Sequence, residues 1–339
     1  MIDTAFRDDL GQITDVAGIR VGNVSRVGGG YLTGVTAVLP PPRTVAAVDV
    51  RGGGPGTHET DALDPRTLVP SADAIVLTGG SAYGLVATHG AQLWCEQHGR
   101  GFPVGTEPNE IVPIVPGAAI FDLGRGGGFT SRPTSDWGYE ALQQANASGD
   151  FARIERGNIG AGTGAVTSRG RLKGGLGTGS VSLTIAGVTY TVGALAIVNA
   201  RGVPQMPGLE ELSATQYSDE SALFAEPQPL NTTIAVVATD AKLDVAETAR
   251  MASCAHDGFA RALDPVHTLS DGDTVFGLAT GDVDVLGEHQ LRTVTMMRIQ
   301  AAAADAMAYA IVDAVLNAES VETPNGKIPS YAEYLSNVR

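Results

Sequence analysis

Glycine limits what this chain can fold into more than any other feature. Its 44 glycines among 339 residues fall in clusters: GGG at 28–30 and 52–54, GG at 79–80, GRGGG at 124–128, GAGTG at 160–164 and KGGLGTG at 173–179. The clusters keep no fixed period, so they describe neither a repeat protein nor a collagen. They mark tight turns and places where backbone approaches backbone or ligand, because a residue without a Cβ tolerates both.

Between the clusters the chain alternates strand and helix patterns. Residues 12–50 read as short β segments in a hairpin or meander, and DAIVLTGG at 73–80 as a strand. That strand runs into a helix over about 82–98 whose Leu85, Val86, His89 and Leu93 would share one face. EPNEIVPIVPGAAIF at 107–121 is extended, SDWGYEALQQANAS at 135–148 a helix, and SVSLTIAG with YTVGALAIVNA a hairpin about Gly187. Residues 201–230 are acidic and aperiodic, a loop with a short helix. NTTIAVVATDAKL then reads as a core strand, Asp244 and Glu247 form a capping box for a helix through about Leu263, TVFGLATG is a strand, and a helix covers about 291–317. Two sheets, each faced on its outer side by helices, would bury these surfaces in a four-layer α/β architecture, αββα. A doubly wound parallel sheet is the competing arrangement.

Composition narrows the function classes. With 43% apolar residues the chain can bury one large core or two modest ones. No run of about 18 apolar residues would span a bilayer, and MIDTAFRDDLGQ has acids where a secretory signal needs an apolar stretch, so no membrane partner and a cytoplasmic location are expected. A formal charge of -15 with scattered Lys and Arg argues against nucleic acid. Cys95 and Cys254 show no metal-ligand spacing and read as buried free thiols.

Several motifs resolve into ordinary structure. GAGTGA at 160–165 lacks the helix and distant acid of a dinucleotide loop. Ser81 in GGSAYG is out of register for an esterase nucleophile, and His256 inside a helix reads as an exposed or core-satisfied residue. Asp271 and Asp273 in SDGDTV lack the other ligands of a calcium loop, and no metal site is expected. The junction LNTTIAV differs in kind. A loop meets a core strand at Asn231-Thr232, and a cut there would place a free amine and a hydroxyl on one residue at a rigid strand end. An α-amine of pKa about 7.7–8 can take the proton of its own hydroxyl near neutral pH. The residues alone are equally those of a strand that starts Asn-Thr-Thr.

LNTTIAVVATDAKL followed by SDGDTVFGLATG, and preceded by RGGGPGTHETDALDP, LTGGSAYGL, VPIVPGAAIFDL, GAGTGAV, LKGGLGTGS and ALAIVNARG, closely resembles the DmpA/NylC family of self-processing aminopeptidases and amide hydrolases. The resemblance covers nearly the whole chain. It implies an Ntn-hydrolase-like αββα sandwich with the family's own connectivity, over a single domain 1–339 cleaved into 1–231 and 232–339. It also implies a homo-oligomer of cleaved protomers, a tetramer above all, and no cofactor.

Carried over residue by residue, Thr232 is the nucleophile and Asn199 the oxyanion donor. Lys173 is the active-site cation, with Arg169 at a comparable offset as the alternative. Asp271 and Asp273 match the paired acids that would hold the Thr232 amine. Phe121 stands where the family commonly has a Tyr, and Tyr83 is a neighbouring candidate for the substrate pocket. The implied activity is hydrolysis of amide bonds in short peptides or ω-amino-acid oligomers. An N-terminal exopeptidase that includes β-peptides, an acyltransferase, and a catalytically silent scaffold are the alternatives.

Overall fold

A computed structural model describes residues 10–214, 231–287 and 289–338. One sheet orders strands β1 (Arg20–Gly28), β2 (Tyr31–Leu39), β5 (Ile75–Thr78), β6 (Gly117–Ala119) and β4 (Thr57–His58). The other orders β7 (Gly175–Ile185), β8 (Val188–Asn199), β9 (Thr232–Ala241), β10 (Thr274–Val283) and β3 (Val45–Val50). The first glycine cluster turns the β1–β2 hairpin: Gly29 and Gly30 both take positive φ, as a two-residue turn matched to strand twist requires. Of the hairpin or meander expected over residues 12–50 only the hairpin forms, because β3 leaves for the far edge of the other sheet and pairs antiparallel with β10.

The sheets face each other across a core in which Leu195, Ile197, Ile234, Val236, Phe276 and Leu278 meet Val38, Ile75 and Leu77. Alternate residues of the second sheet, Ala194, Ala196, Ala235 and Val237, point the other way, onto helices α3 (Val245–Ala262) and α4 (His289–Leu316). Helices α1 (Ala87–Gln97) and α2 (Ser135–Ser148) cover Val35 and Val76 on the outside of the first sheet. Three cores between four layers make the αββα sandwich. Strand β9 is covered on both faces, which is why its sequence is close to continuously apolar or β-branched.

Small residues set the spacing of these layers. A Cβ on Gly177 would stand 2.1 Å from Ala314 N and 2.2 Å from Ala310 O, so the glycines of β7 let the α4 backbone lie directly on the strand. Helix α4 is long and apolar enough to cross a membrane by length and composition, yet 72% of its most apolar window is buried against β7, β8 and α3, as in a core helix. Between α1 and α2, Gly90 and Gly138 do the same work. The expected apolar face of the first helix is therefore wrong: Ala87, Gly90, Ala91, Trp94 and Cys95 are buried, while Val86 and Leu93 are exposed. Close approach favoured the small residues over the large ones. Cys254, expected to be buried, is only partly so.

Candidate active site

Strand β9 begins at Thr232, which pairs in the antiparallel ladder with Asn199, the last residue of β8. Directly opposed residues point to the same face. Thr232 shares the parity of Ile234 and Val236, so both side chains enter the space between the sheets at its open end. Thr232 is 4% exposed and Asn199 fully buried. The Thr232 hydroxyl lies 2.5 Å from the carbonyl oxygen of Asn231, toward which it donates. The Gly272 N–H donates to that same oxygen at 3.1 Å. One carbonyl, at the bond singled out by the sequence, thus sits between a hydroxyl and a fixed backbone donor.

The Asn199 amide has a determined orientation. Its Oδ1 accepts from Arg125 Nη1 at 2.6 Å and from the Val166 N–H at 3.1 Å, and a guanidinium can only donate. Nδ2 is therefore the end that points to the Phe121 carbonyl, to which it makes a long 3.4 Å contact. The backbone of Phe121, not its ring, is what meets the site. Arg125 also donates to Gly164 O at 2.5 Å, and packing around its guanidinium pulls its pKa down to about 10 against the opposing pull of Asp122. Burial raises the Asp122 carboxyl, whose Oδ1 accepts from the Gly80 N–H at 2.6 Å.

Lys173 is fully buried, and its ammonium donates to three carbonyls, Gly162, Ala165 and Gly174, at 2.8–3.0 Å. Burial, then the charge of Arg125, holds its pKa well below the usual lysine range. Those contacts commit two donors to the GAGTG turn and its flank, at Gly162 and Ala165, and the third to Lys173's own neighbour, Gly174. Arg169 instead lines a cavity of about 290 Å³ together with Arg125, Val166, Asn231 and Lys327.

The loop 268–273 carries both acids. Asp271 accepts from the Thr268 N–H at 3.0 Å and from its hydroxyl, and burial followed by the charge of Asp273 raises its pKa. Asp273 Oδ1 takes the Thr233 N–H at 2.8 Å, while Oδ2 takes both the backbone N–H and Nδ1 of His267, at 2.9 and 2.8 Å. Asp273 thus grips Thr233, the residue after Thr232, whereas the Asp271 carboxylate is held by Thr268 and the loop meets Asn231 through its backbone, the Asn231 N–H donating to Ser270 O at 3.0 Å. The GGG cluster at 52–54 clasps this loop from outside: the Arg51 and Gly52 N–H groups donate to Asp273 O and the Gly54 N–H to Asp271 O, an approach that a Cβ on Gly52, 2.3 Å from Asp273 N, would forbid. Tyr83 is 55% exposed and stacks under Arg132; neither it nor Phe121 lines the cavity beside Asn231.

Residues 11–328 match the family model for peptidase family S58. The chain belongs to that family. An uncharacterized aminopeptidase of Mycobacterium tuberculosis is 45% identical to this S58 chain, over 96% of it and 98% of the relative. A 6-aminohexanoate-oligomer endohydrolase of Paenarthrobacter ureafaciens is 28% identical over 75% of this chain and 71% of its own. The solved L-aminopeptidase D-Ala-esterase/amidase of Ochrobactrum anthropi, described as a variant of the Ntn hydrolase fold, superposes with a TM-score of 0.73 at 22% identity, covering 97% of this chain and 93% of its own. The four-layer fold is thus that of an Ntn hydrolase, and S58 membership makes the chain a hydrolase of peptide or amide bonds.

Arg125 and His267 escaped the sequence reading. Arg125 lies in a glycine run that reads only as turn, and His267 is separated from the Thr232 motif by the whole of α3.

Proposed function

We propose that Thr232 cleaves the chain at its own amide bond and then serves as the nucleophile for short peptides or ω-amino-acid oligomers. The observation that carries this reading is the Asn231 carbonyl oxygen held between the Thr232 hydroxyl and the Gly272 N–H. Attack of Oγ on the Asn231 carbonyl carbon would put negative charge on an oxygen that already has a fixed donor, the arrangement worth most when it precedes the reaction. Collapse breaks the C–N bond, the amine takes the proton, and water hydrolyses the ester to release the Asn231 carboxylate.

In turnover the freed α-amine of Thr232 takes the hydroxyl proton, and a substrate carbonyl replaces that of Asn231. Asn199 Nδ2, left as the unclamped end of the amide because Arg125 holds Oδ1, turns from its long contact with Phe121 to the oxyanion. The leaving amine takes a proton, and water releases the acyl group. Lys173 acts at one remove, since its ammonium fixes the carbonyls of the turn that carries Val166.

Denaturing electrophoresis with intact-mass analysis, beside a Thr232→Ala variant, tests the reading. Two fragments split after Asn231 in the wild type, one full-length chain in the variant, and release of p-nitroaniline from acyl p-nitroanilides by the cut protein are expected. A wild type that stays whole after prolonged incubation would overturn it and leave a silent scaffold.

A further inference from the structure

The end of the sandwich away from Thr232 holds a second, larger cavity of about 680 Å³, a volume ordinary for small-molecule sites. Ser71 and Asp73 on its wall precede β5, and Ser71 bridges to Val45 at the start of β3. Strand β3 then runs for 6 residues, roughly 17 Å, before Arg51 reaches Asp273. A ligand in this cavity touches no reacting atom, and its binding is independent of the role proposed for Thr232.

The wall is made of anchored polar groups whose capacity is only partly used. Arg100 Nη2 donates to the carbonyls of Pro40 and Asp73, at 2.7 and 3.1 Å. Among the described residues its Nε is buried without a partner and its Nη1 makes no hydrogen bond. Arg43, exposed on the same wall, has no hydrogen bond or ion pair among the described residues. Its φ of 66° is held by Thr44, whose N–H and hydroxyl both donate to Pro41 O. Asp73 Oδ2 accepts from the Ile114 N–H at 2.9 Å, which leaves Oδ1 open. Arg100 bonds to the main chain of Asp73, so the two charges are neighbours, yet they form no ion pair.

Beside them His98 lies flat on Trp94, with ring centroids 3.9 Å apart and planes 15° apart. Its Nδ1 stands 2.7 Å from Trp94 O, and a carbonyl can only accept, so Nδ1 carries the proton and Nε2 is left to accept in the neutral ring. Val69, Phe102 and Ile114 supply apolar surface.

We propose that this cavity binds a free α-amino acid with an apolar side chain, its carboxylate at Arg43 and Arg100 and its ammonium at Asp73. Unmet guanidinium donors suit a carboxylate, and an open carboxylate oxygen suits an ammonium. A simple carboxylate would set like charge against Asp73, and a simple amine would set it against the two guanidiniums, so both ends of the ligand are needed. The adjacency of Arg100 and Asp73 matches charges separated by one carbon, as in an α-amino acid.

Calorimetry on the wild type and on Thr232→Ala compares L-leucine with 4-methylpentanoate, which lacks its ammonium, and 3-methylbutylamine, which lacks its carboxylate. None of the three contains an amide for a peptidase to consume. L-leucine should bind both proteins alike, about tenfold or more tighter than either analogue. Arg43→Gln, at an exposed position, should weaken L-leucine several-fold and leave 3-methylbutylamine unchanged. Asp73→Asn, which keeps an acceptor for the Ile114 N–H, should reduce L-leucine to the level of 4-methylpentanoate. Absence of saturable L-leucine binding, equal affinity for the three compounds, or affinity unaltered in both variants overturns the site. Binding lost in Thr232→Ala places the ligand at Thr232 and overturns it equally.

Discussion

Arg125 Nη1 stands 2.6 Å from Asn199 Oδ1, and this contact decides which end of the Asn199 amide is left to serve as the proposed oxyanion donor. Without it Oδ1 keeps only the Val166 N–H and Nδ2 its long contact with Phe121 O, so the amide is held far less firmly. Arg125→Met should lower kcat by about tenfold or more with a smaller change in KM, and Asn199→Ala by about 10²–10³-fold. Steady-state kinetics on the cut protein check this, and an unaltered kcat in R125M would remove the orienting role.

Gly272 faces Thr232, the proposed nucleophile, at a distance that leaves no room for a methyl group. A Cβ there would lie 2.8 Å from Thr232 Oγ and 2.9 Å from the Gly54 carbonyl, and the backbone oxygen cannot swing away. Gly272→Ala should slow self-cleavage by about tenfold or more, because the same shift moves the N–H off the Asn231 oxygen. The rate of fragment appearance by mass spectrometry decides it; wild-type speed would mean that this N–H does not serve the oxyanion.

His267 and Asp273 tie the loop to the start of β9, since one carboxylate accepts from His267 through Oδ2 and from the Thr233 N–H through Oδ1. Replacing the ring with Asn keeps a donor near the position of Nδ1, and Leu removes it. His267→Leu should slow self-cleavage several-fold while His267→Asn retains most of the rate. Equal losses in the two variants would point to packing against Phe259 and His256 instead.

His256 gives the fold a pH dependence of definite sign. Its Nε2 meets Asp49 O at 3.0 Å, its Nδ1 is buried without a partner among the described residues, and burial lowers its pKa from 6.5 to about 4. The unfolded chain therefore takes up a proton near pH 6.5 that the folded chain refuses until about pH 4, so stability is full above 6.5 and falls as the pH drops through that window. From pH 7.5 to 5 the wild type should lose about 2 kcal/mol more than a His256→Gln variant. The raised carboxyls Asp73, Asp240 and Asp313 act in the opposite sense, because protonation relieves their burial, and they are common to both proteins. Denaturant titrations at the two pH values measure the difference; parallel losses would contradict it.

Much of this was legible in the residues because it depends on near neighbours. Asp244 and Glu247 form the capping box that opens α3, with bonds of 2.8 and 3.0 Å, and the 135–148 helix and the turn at Gly187 lie where their patterns place them. Thr232 starts a strand because the β-branched run starts there. What could not be read depends on partners distant in the chain. The transfer of β3 between sheets follows from which edge remains unpaired, and the alignment of Asn199 by Arg125 follows from a glycine turn that has no period. The first helix misled because large apolar side chains usually mark the buried face, whereas close helix packing here selected glycine and alanine. Residues 215–230, which complete the acidic stretch before the junction, lie outside the described residues.

Strand β9 is the middle strand of its sheet, with β8 on one side and β10 on the other. The piece that follows Asn231 therefore owns the centre of the sheet and both helices that cover it, while the piece before supplies the strands at either flank. A severed peptide bond at Thr232 would leave two polypeptides as interlocked as the halves of a dovetail joint. Neither could leave without dissolving the core between the sheets, so the nucleophile would gain a free amine while its surroundings stayed as rigid as in the unbroken chain.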